Sequence, residues 1–340
     1  MKGKYAIYAV GGICFLSVIL GGIIHLSGLK AYNDKEAFCM ILYDSSQMTK
    51  DEHIDVWKYF NEDVADVQCI YVPITSAKGS FFDKLLLPNV LPVTCVFDIS
   101  NNKMIDLFSG ISQESLLYTK QCLKTQKVVD EYHYNQLYKN RKCKFIDGCN
   151  MLFTMLLDSS RCSDWGLFDS IFEFTQNPYL LHLKMKMQLQ RLDTVSAVAS
   201  ATEFLRFSKA EYLCRFHDEF VLANQLVNPM YNMCTGPKIE IKQDTLFFDN
   251  CKVGRKENER VKLTNVGKMP LRIVDVGTSC SCVSLLDNLK GRIIEPGESL
   301  DVQVQFNPDS KGDIYREIYF FSNAINSCLN IIVVKAINVV

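Results

Sequence analysis

The chain has 340 residues, enough for two or three domains, each with its own core. A formal net charge of -1 with 22% charged residues leaves no basic face for nucleic acid and no acidic tail. An apolar content of 48% excludes a chain that is disordered throughout.

Between Lys4 and Lys30 lie 25 residues without Asp, Glu, Lys or Arg. At about 1.5 Å per helical residue they are long enough for a hydrocarbon core of roughly 30 Å. Lys2 and Lys4 sit on the short side of this stretch. The positive-inside tendency puts the N-terminus in the cytoplasm and the rest of the chain across the membrane. Residues 1–30 are therefore expected to be a transmembrane anchor. A cleaved signal peptide is the alternative, but its apolar region is typically about 7–15 residues and ends at small residues. Leu29-Lys30-Ala31 does not offer that context, and Cys14 has few apolar residues ahead of it, unlike a lipoprotein processing site.

After a polar join, Ala37–Tyr43 is a compact apolar run. Thr49-Lys50-Asp51-Glu52 is a capping box that starts a helix, in which Thr49 and Glu52 satisfy free amides. Ile54, Trp57, Phe60 and Val64 follow at helical spacing. Val67–Pro73 is expected as a strand, Phe81–Leu87 as a short helix closed by Pro88, and Val93–Asp98 with Met104–Phe108 as a hairpin across Asn101-Asn102. Gln113–Leu123 is helical. The order β-α-β-α-β-β-α resembles the thioredoxin core, and Leu91-Pro92-Val93 stands where thioredoxin-like proteins carry a cis-proline. The resemblance covers about ninety residues within 31–127. It departs at the loop between the first strand and helix, where the family places its redox cysteines. Here the loop reads Asp44-Ser45-Ser46-Gln47-Met48. Thiol exchange needs an activated thiolate and a resolving thiol, and this loop has neither.

Residues 128–236 are expected to be a helical segment. Cys149–Leu157, Trp165–Thr175, Tyr179–Leu192 and Val195–Val227 read as helices, broken at Asp158-Ser159-Ser160, Asn177-Pro178 and Asn228-Pro229. No repeat period persists. A spacer packed on the preceding domain is the plain reading, and a peptide-binding bundle is the sharper one.

From about Lys238 the apolar pattern changes to period two. Thr245–Phe248, Val261–Thr264, Leu271–Val276, Leu300–Phe306, Ile318–Ser322 and Asn330–Ala336 suit half-buried strands, separated by turn residues. Six or seven short strands suggest a β-sandwich over 237–340. The residues Phe248, Gly254, Leu263-Thr264-Asn265-Val266-Gly267, Pro270-Leu271, Ser279-Cys280-Ser281-Cys282, Ile294-Glu295-Pro296-Gly297-Glu298 and Ser322-Asn323 resemble domain-of-unknown-function family 1573. That family is an immunoglobulin-like group common in Gram-negative envelopes, those of Bacteroidota in particular, and its members also occur behind thioredoxin-like segments. The resemblance implies a sandwich related in shape to the PapD and major-sperm-protein group, whose members bind proteins, often along sheet edges. It implies no activity. The family has Cys-Gly-Cys-Thr where this chain has Cys280-Ser281-Cys282-Val283, and serine enters left-handed conformations less readily than glycine.

The fold class is thus multidomain: an N-terminal transmembrane helix, an α/β thioredoxin-like domain, a helical segment and a C-terminal all-β immunoglobulin-like sandwich. The candidate motif residues are Pro92, Asn265, Gly267, Cys280, Cys282, Pro296 and Gly297. If Cys280 and Cys282 lay at i and i+2 on one strand they would share a face. Structural thiols (packed at a strand end, or one of them in a disulfide to a neighbour), a soft-metal pair or a redox pair are the readings, in that order, with Cys251 and Cys328 as the further thiols a zinc site would need. Most of the 14 cysteines, among them Cys39, Cys69, Cys95, Cys122 and Cys214, sit in apolar runs where a thiol serves as a small hydrophobe. His53, His133, His182 and His217 stand far apart and fit surface or core positions. There is no phosphate loop, zinc-protease motif or nucleophile elbow. The expected role is a non-catalytic scaffold without cofactor, fixed to the inner membrane with its bulk on the periplasmic side, holding a protein or peptide and no nucleic acid. The alternative is thiol or soft-metal handling through Cys280 and Cys282.

Overall fold

The computed structural model describes residues 37–60, 69–98, 103–129, 141–157, 164–207, 209–249 and 251–340. The expected anchor and His133 lie outside the described residues. Among the described residues no helix is long and apolar enough to cross a membrane. The chain divides into two compact units, one ending at Ala197 and the other running from Val198 to Val340.

The first unit is built on four strands, β1 (Ala37–Tyr43), β2 (Cys69–Pro73), β3 (Val93–Asp98) and β4 (Lys103–Ser109), in the order β2-β1-β3-β4. β1 runs parallel to β2 and antiparallel to β3, and β3 pairs antiparallel with β4. β1 is buried along almost its whole length, because it is central and both of its faces are covered. The helices are α1 (Lys50–Phe60), α2 (Ala77–Leu86), α3 (Gln113–Thr125), α4 (Lys142–Leu157), α5 (Trp165–Thr175) and α6 (Tyr179–Gln190).

The capping box at the start of α1 forms as expected: the Thr49 amide donates to Glu52 at 2.7 Å and the Glu52 amide donates to Thr49 Oγ1 at 3.2 Å. Among the described side chains of α1, those buried are Trp57 and His53, a histidine where the apolar pattern marks Ile54, which is only half-buried; the Phe60 side chain and Val64 lie outside the described residues. On one face of the sheet Cys39 and Ile41 pack with Cys122 of α3. On the other, Phe38 stacks on Phe97, and Phe97 meets Phe153 of α4. Asn150 of α4 satisfies both backbone groups of Met104 on the edge strand β4, at 2.8 and 2.9 Å. Asn177, fully buried, donates to the carbonyls of Lys84 and Leu85 at the end of α2. The Leu91–Pro92 bond is cis, and Pro92 immediately precedes β3.

The compact units cut across the helical stretch 128–236: α4 to α6 belong to the first, the boundary falls within the helix Thr194–Phe204, and the helices after it belong to the second. The single helix expected over Val195–Val227 is not continuous. It is α7 (Thr194–Phe204), a 3-10 turn (Leu205–Phe207), a one-turn α8 (Ala210–Leu213) and α9 (His217–Val227). Aromatic packing explains the bends, since Phe204 stacks on Phe220 and contacts Phe216, which a straight helix does not permit.

The second unit contains a two-sheet sandwich of β5 (Ile239–Glu240), β6 (Thr245–Phe248), β7 (Glu257–Asn265), β8 (Leu271–Thr278), β9 (Val283–Leu285), β10 (Ile293–Ile294), β11 (Ser299–Phe306), β12 (Gly312–Ser322) and β13 (Leu329–Val339). The sheets are ordered β10-β8-β12-β13-β6 and β5-β7-β11-β9. Alternate residues of each long strand form the core, including Val261, Leu263, Val302, Val304, Phe306, Ile318, Phe320, Ile332 and Val334. All six expected strands are present. β5, β9 and β10 were not visible in the pattern because two or three residues carry no periodicity.

Candidate functional site

Asn265 ends β7 and is fully buried. Its Nδ2 donates to the carbonyls of Met269 at 2.9 Å and Ile294 at 2.8 Å, and its Oδ1 accepts from the Gly267 amide at 2.9 Å. Its backbone carbonyl accepts from Gly297, and its amide donates to Glu298. One asparagine therefore joins the Asn265–Gly267 turn to the Glu295–Glu298 turn, in which Pro296 precedes Gly297 at a φ of +80°. A Cβ on Gly267 would overlap the Gly236 carbonyl oxygen and the Lys238 amide nitrogen. Asn265, Gly267, Pro296 and Gly297 are thus a structural corner.

Cys280 and Cys282 lie at the opposite end of β8, in the turn before β9, and are joined as a disulfide. The expectation that they share one strand is corrected here. Two positions apart on a strand are about 6.6 Å apart, whereas the turn draws the two Cα atoms to 5.2 Å, within disulfide reach. Cys282 is buried and Cys280 half-buried. The turn is pinned on both sides: the Asn307 amide donates to the Cys282 carbonyl at 2.8 Å, and the Glu317 amide donates to Ser279 Oγ at 2.8 Å. Asp309 brings a carboxylate oxygen within 4.8 Å of both sulfurs. The further thiols do not join them. Cys251 is buried, with its sulfur near the Asp249 carbonyl, and Cys328 lies 3.4 Å from Cys214.

An open cleft of about 680 Å³ begins at Ser279 and Cys280 and runs past Asp309 and Arg316 to Tyr315 and Val333. From there the outer face of the five-stranded sheet continues across three strands in one row. Lys335 pairs with Tyr315 on one side and with Phe247 on the other. Its Nζ lies 5.2 Å from the Tyr315 ring centre and 5.9 Å from that of Phe247, within cation–π range. Phe247 is 56% and Tyr315 54% exposed. β6, which carries Phe247, ends its sheet with no further strand paired to it among the described residues.

The buried thiols Cys39, Cys95, Cys122 and Cys149 of the first unit are held protonated. Burial pushes Cys122 up to about 12 and raises Cys95 and Cys149; Cys39 is raised by its hydrogen bond to Cys69 and by burial. Cys69 and Cys214 depart from the reading as buried hydrophobes, since both are partly exposed. In the loop where thioredoxin-like proteins place their cysteines, Asp44 accepts from the amide and hydroxyl of Ser46 at 2.9 and 2.7 Å, closing a turn that contains no thiol. His53 and His182 are buried. His217 lies beside Cys328 and Cys214, a grouping that the sequence hides because 114 residues separate the two cysteines.

Residues 237–336 match the family model described as HYDIN/CFA65/VesB-like, Ig-like domain. This region is an immunoglobulin-like domain. No curated protein matches the chain. Similar solved structures include a protein of unknown function from Porphyromonas gingivalis W83, 22% identical over 32% of this chain and 50% of that one, with a TM-score of 0.28. PapD-like domain 7 of human CEP192 is 11% identical over 30% of this chain and 85% of that one, with a TM-score of 0.26. The VesB protease of Vibrio cholerae is 13% identical over 36% and 35%, with a TM-score of 0.26. The chain spans about half the length of the Porphyromonas protein. The corner at Asn265 and the turn at Cys280 both fall inside the immunoglobulin-like domain.

Proposed function

We propose that this chain is a membrane-anchored envelope protein whose exported part holds a protein or peptide partner on its immunoglobulin-like domain without catalysing a reaction on it. The observation that carries this reading is the open edge strand β6, with Phe247 exposed on it and continuous with Lys335 and Tyr315. An unpaired edge offers backbone donors and acceptors to an added strand, and neighbouring side chains select it. Membership of domain-of-unknown-function family 1573 is part of the proposal, supported by the placement of Asn265, Gly267, Pro296 and Gly297 at one corner.

A thioredoxin-like assignment for residues 31–127 belongs to the same reading. Its support is the strand order β2-β1-β3-β4 with helices on both faces. The loop closed by Asp44 lacks a thiol, which favours binding over redox chemistry in that domain. The anchor, the inner-membrane location and the periplasmic orientation rest on the uncharged stretch between Lys4 and Lys30.

The test is a pull-down of residues 31–340 from an envelope extract, with Phe247→Asp and Lys335→Glu as variants. The reading expects a partner retained by the parent and lost by both variants. An unchanged set of partners would sink it. A reporter fused after Val340 tests export, and a cytoplasmic signal overturns that part.

The cleft favours one second reading. With Cys280–Cys282 reduced, two thiolates and the Asp309 carboxylate would be close enough to hold a soft metal ion. Copper(I) binding by the reduced protein, abolished in Cys280→Ser, would support it.

A further inference from the structure

Cys214 follows α8 and Cys328 immediately precedes β13, and the fold of the second unit brings their sulfurs to 3.4 Å. This is about 1.4 Å longer than a disulfide bond. Both residues are partly exposed. The His217 ring, at the start of α9, lies beside the Cys328 sulfur and the Ile325 carbonyl. Two acceptors on one ring favour its charged form, so His217 is raised, first by Cys328. The contact with Cys214, sulfur to sulfur at 3.4 Å, is the largest influence on Cys328. With His217 it brings that thiol down to about 5, while the same contact and burial raise Cys214. His217 also lines an open cavity of about 240 Å³ together with Tyr231 and Asn323. A nucleophilic thiolate, a second thiol within bonding reach and a cation beside them are the parts that thiol exchange requires.

We infer that Cys328 and Cys214 form a thiol–disulfide exchange site, with Cys328 as the attacking thiolate, Cys214 as the resolving thiol and His217 holding the thiolate. The co-reactant is a small-molecule or protein disulfide, R–S–S–R′. The Cys328 sulfur attacks one of its sulfurs, forming a Cys328–S–R bond and releasing R′ thiolate. Cys214 then attacks the Cys328 sulfur, forming the Cys214–Cys328 bond and releasing R thiolate. The chain loses two electrons and the external disulfide gains them. The two protons, one carried by His217 and one by Cys214, pass to the released thiols. The inference does not rest on the scaffold reading, because it uses neither β6 nor the Cys280–Cys282 cleft.

The experiment uses the full chain and glutathione disulfide as the probe. After incubation, free thiols are alkylated and the peptides are identified by mass. The expected result is a Cys214–Cys328 crosslinked peptide in the parent, and in Cys214→Ser a glutathione adduct on Cys328. At pH 6, Cys328 should alkylate roughly tenfold faster than exposed Cys143 and Cys234, as its larger thiolate fraction outweighs its weaker nucleophilicity. His217→Gln should narrow that difference while the circular dichroism spectrum stays unchanged. A folded parent that forms no crosslink, or a Cys328 that alkylates no faster than Cys143, would overturn the assignment.

Discussion

Asp106 and Lys142 form an ion pair of 2.5 Å in which the side chains are 0% and 8% exposed. The pair joins β4 to the first turn of α4. Burial raises the Asp106 carboxyl, and Lys142 opposes the shift. Val129 donates its amide to Asp106 at 2.6 Å and Leu107 donates at 2.8 Å, so the carboxylate is satisfied on both oxygens. Lys142 also stands 4.6 Å from the Phe108 ring centre. Removing one partner strands the other charge in the core. Asp106→Ala should cost about 3–5 kcal/mol. Asp106→Leu with Lys142→Met should recover most of that loss. Urea denaturation of the two variants checks it, and equal losses in the single and double variants would count against this account.

His53 packs against Trp57 and Tyr71, at ring-centre distances of 6.2 and 5.4 Å, and its Nδ1 has no partner among the described residues. Burial pushes it down to about 4, against 6.5 for a free histidine. Above pH 6.5 the ring is neutral in both states and adds no pH dependence. As the pH falls below 6.5 the unfolded chain takes up a proton that the folded ring refuses, and stability is lost until about pH 4. Between pH 7.5 and 5 this amounts to about 2 kcal/mol. His53→Phe should therefore reduce the acid sensitivity of the protein by that amount. An unchanged difference between denaturation curves at the two pH values would refute the assignment.

Asn265→Ala leaves the Met269 and Ile294 carbonyls and the Gly267 amide without the partners that Asn265 supplies. A loss of about 1–3 kcal/mol per buried unpaired group is expected. Gly267→Ala should also destabilise the sandwich, because the added Cβ meets backbone atoms of Gly236 and Lys238 that have no rotamer by which to move. Thermal unfolding of both variants is the measurement; a Gly267→Ala protein as stable as the parent would remove the packing argument.

The Cys280–Cys282 disulfide spans a sequence separation of two. A loop of three residues excludes little from the unfolded ensemble, so the chain-entropy effect is about 1.5 kcal/mol. The Cys280→Ser/Cys282→Ser variant should keep its fold and lose about that much. A loss above 4 kcal/mol would mean that this turn does more for the sandwich than close a small ring.

The sequence by itself determined the elements whose causes are local. The Thr49–Glu52 capping box, the order of strands and helices over 37–125, and the period-two strands from Thr245 onward all depend on neighbours a few residues away. The Asn265–Gly267 turn is local in the same way through the Met269 and Gly267 contacts, while its link to Ile294 and the Glu295–Glu298 turn is not. Tertiary structure decided what depends on distant partners. His53 enters the core because Tyr71 and Trp57 enclose it there. The stretch 195–227 bends because Phe204 can stack on Phe220 only if the helix breaks. Cys280 and Cys282 leave the strand because the turn between β8 and β9 is pinned by Asn307 and Glu317. Cys214, His217 and Cys328 meet because a one-turn helix and a sheet strand 114 residues apart converge. A periodicity or motif reports the chemistry of a short window, and burial, ion pairing and thiol activation are set by groups outside it.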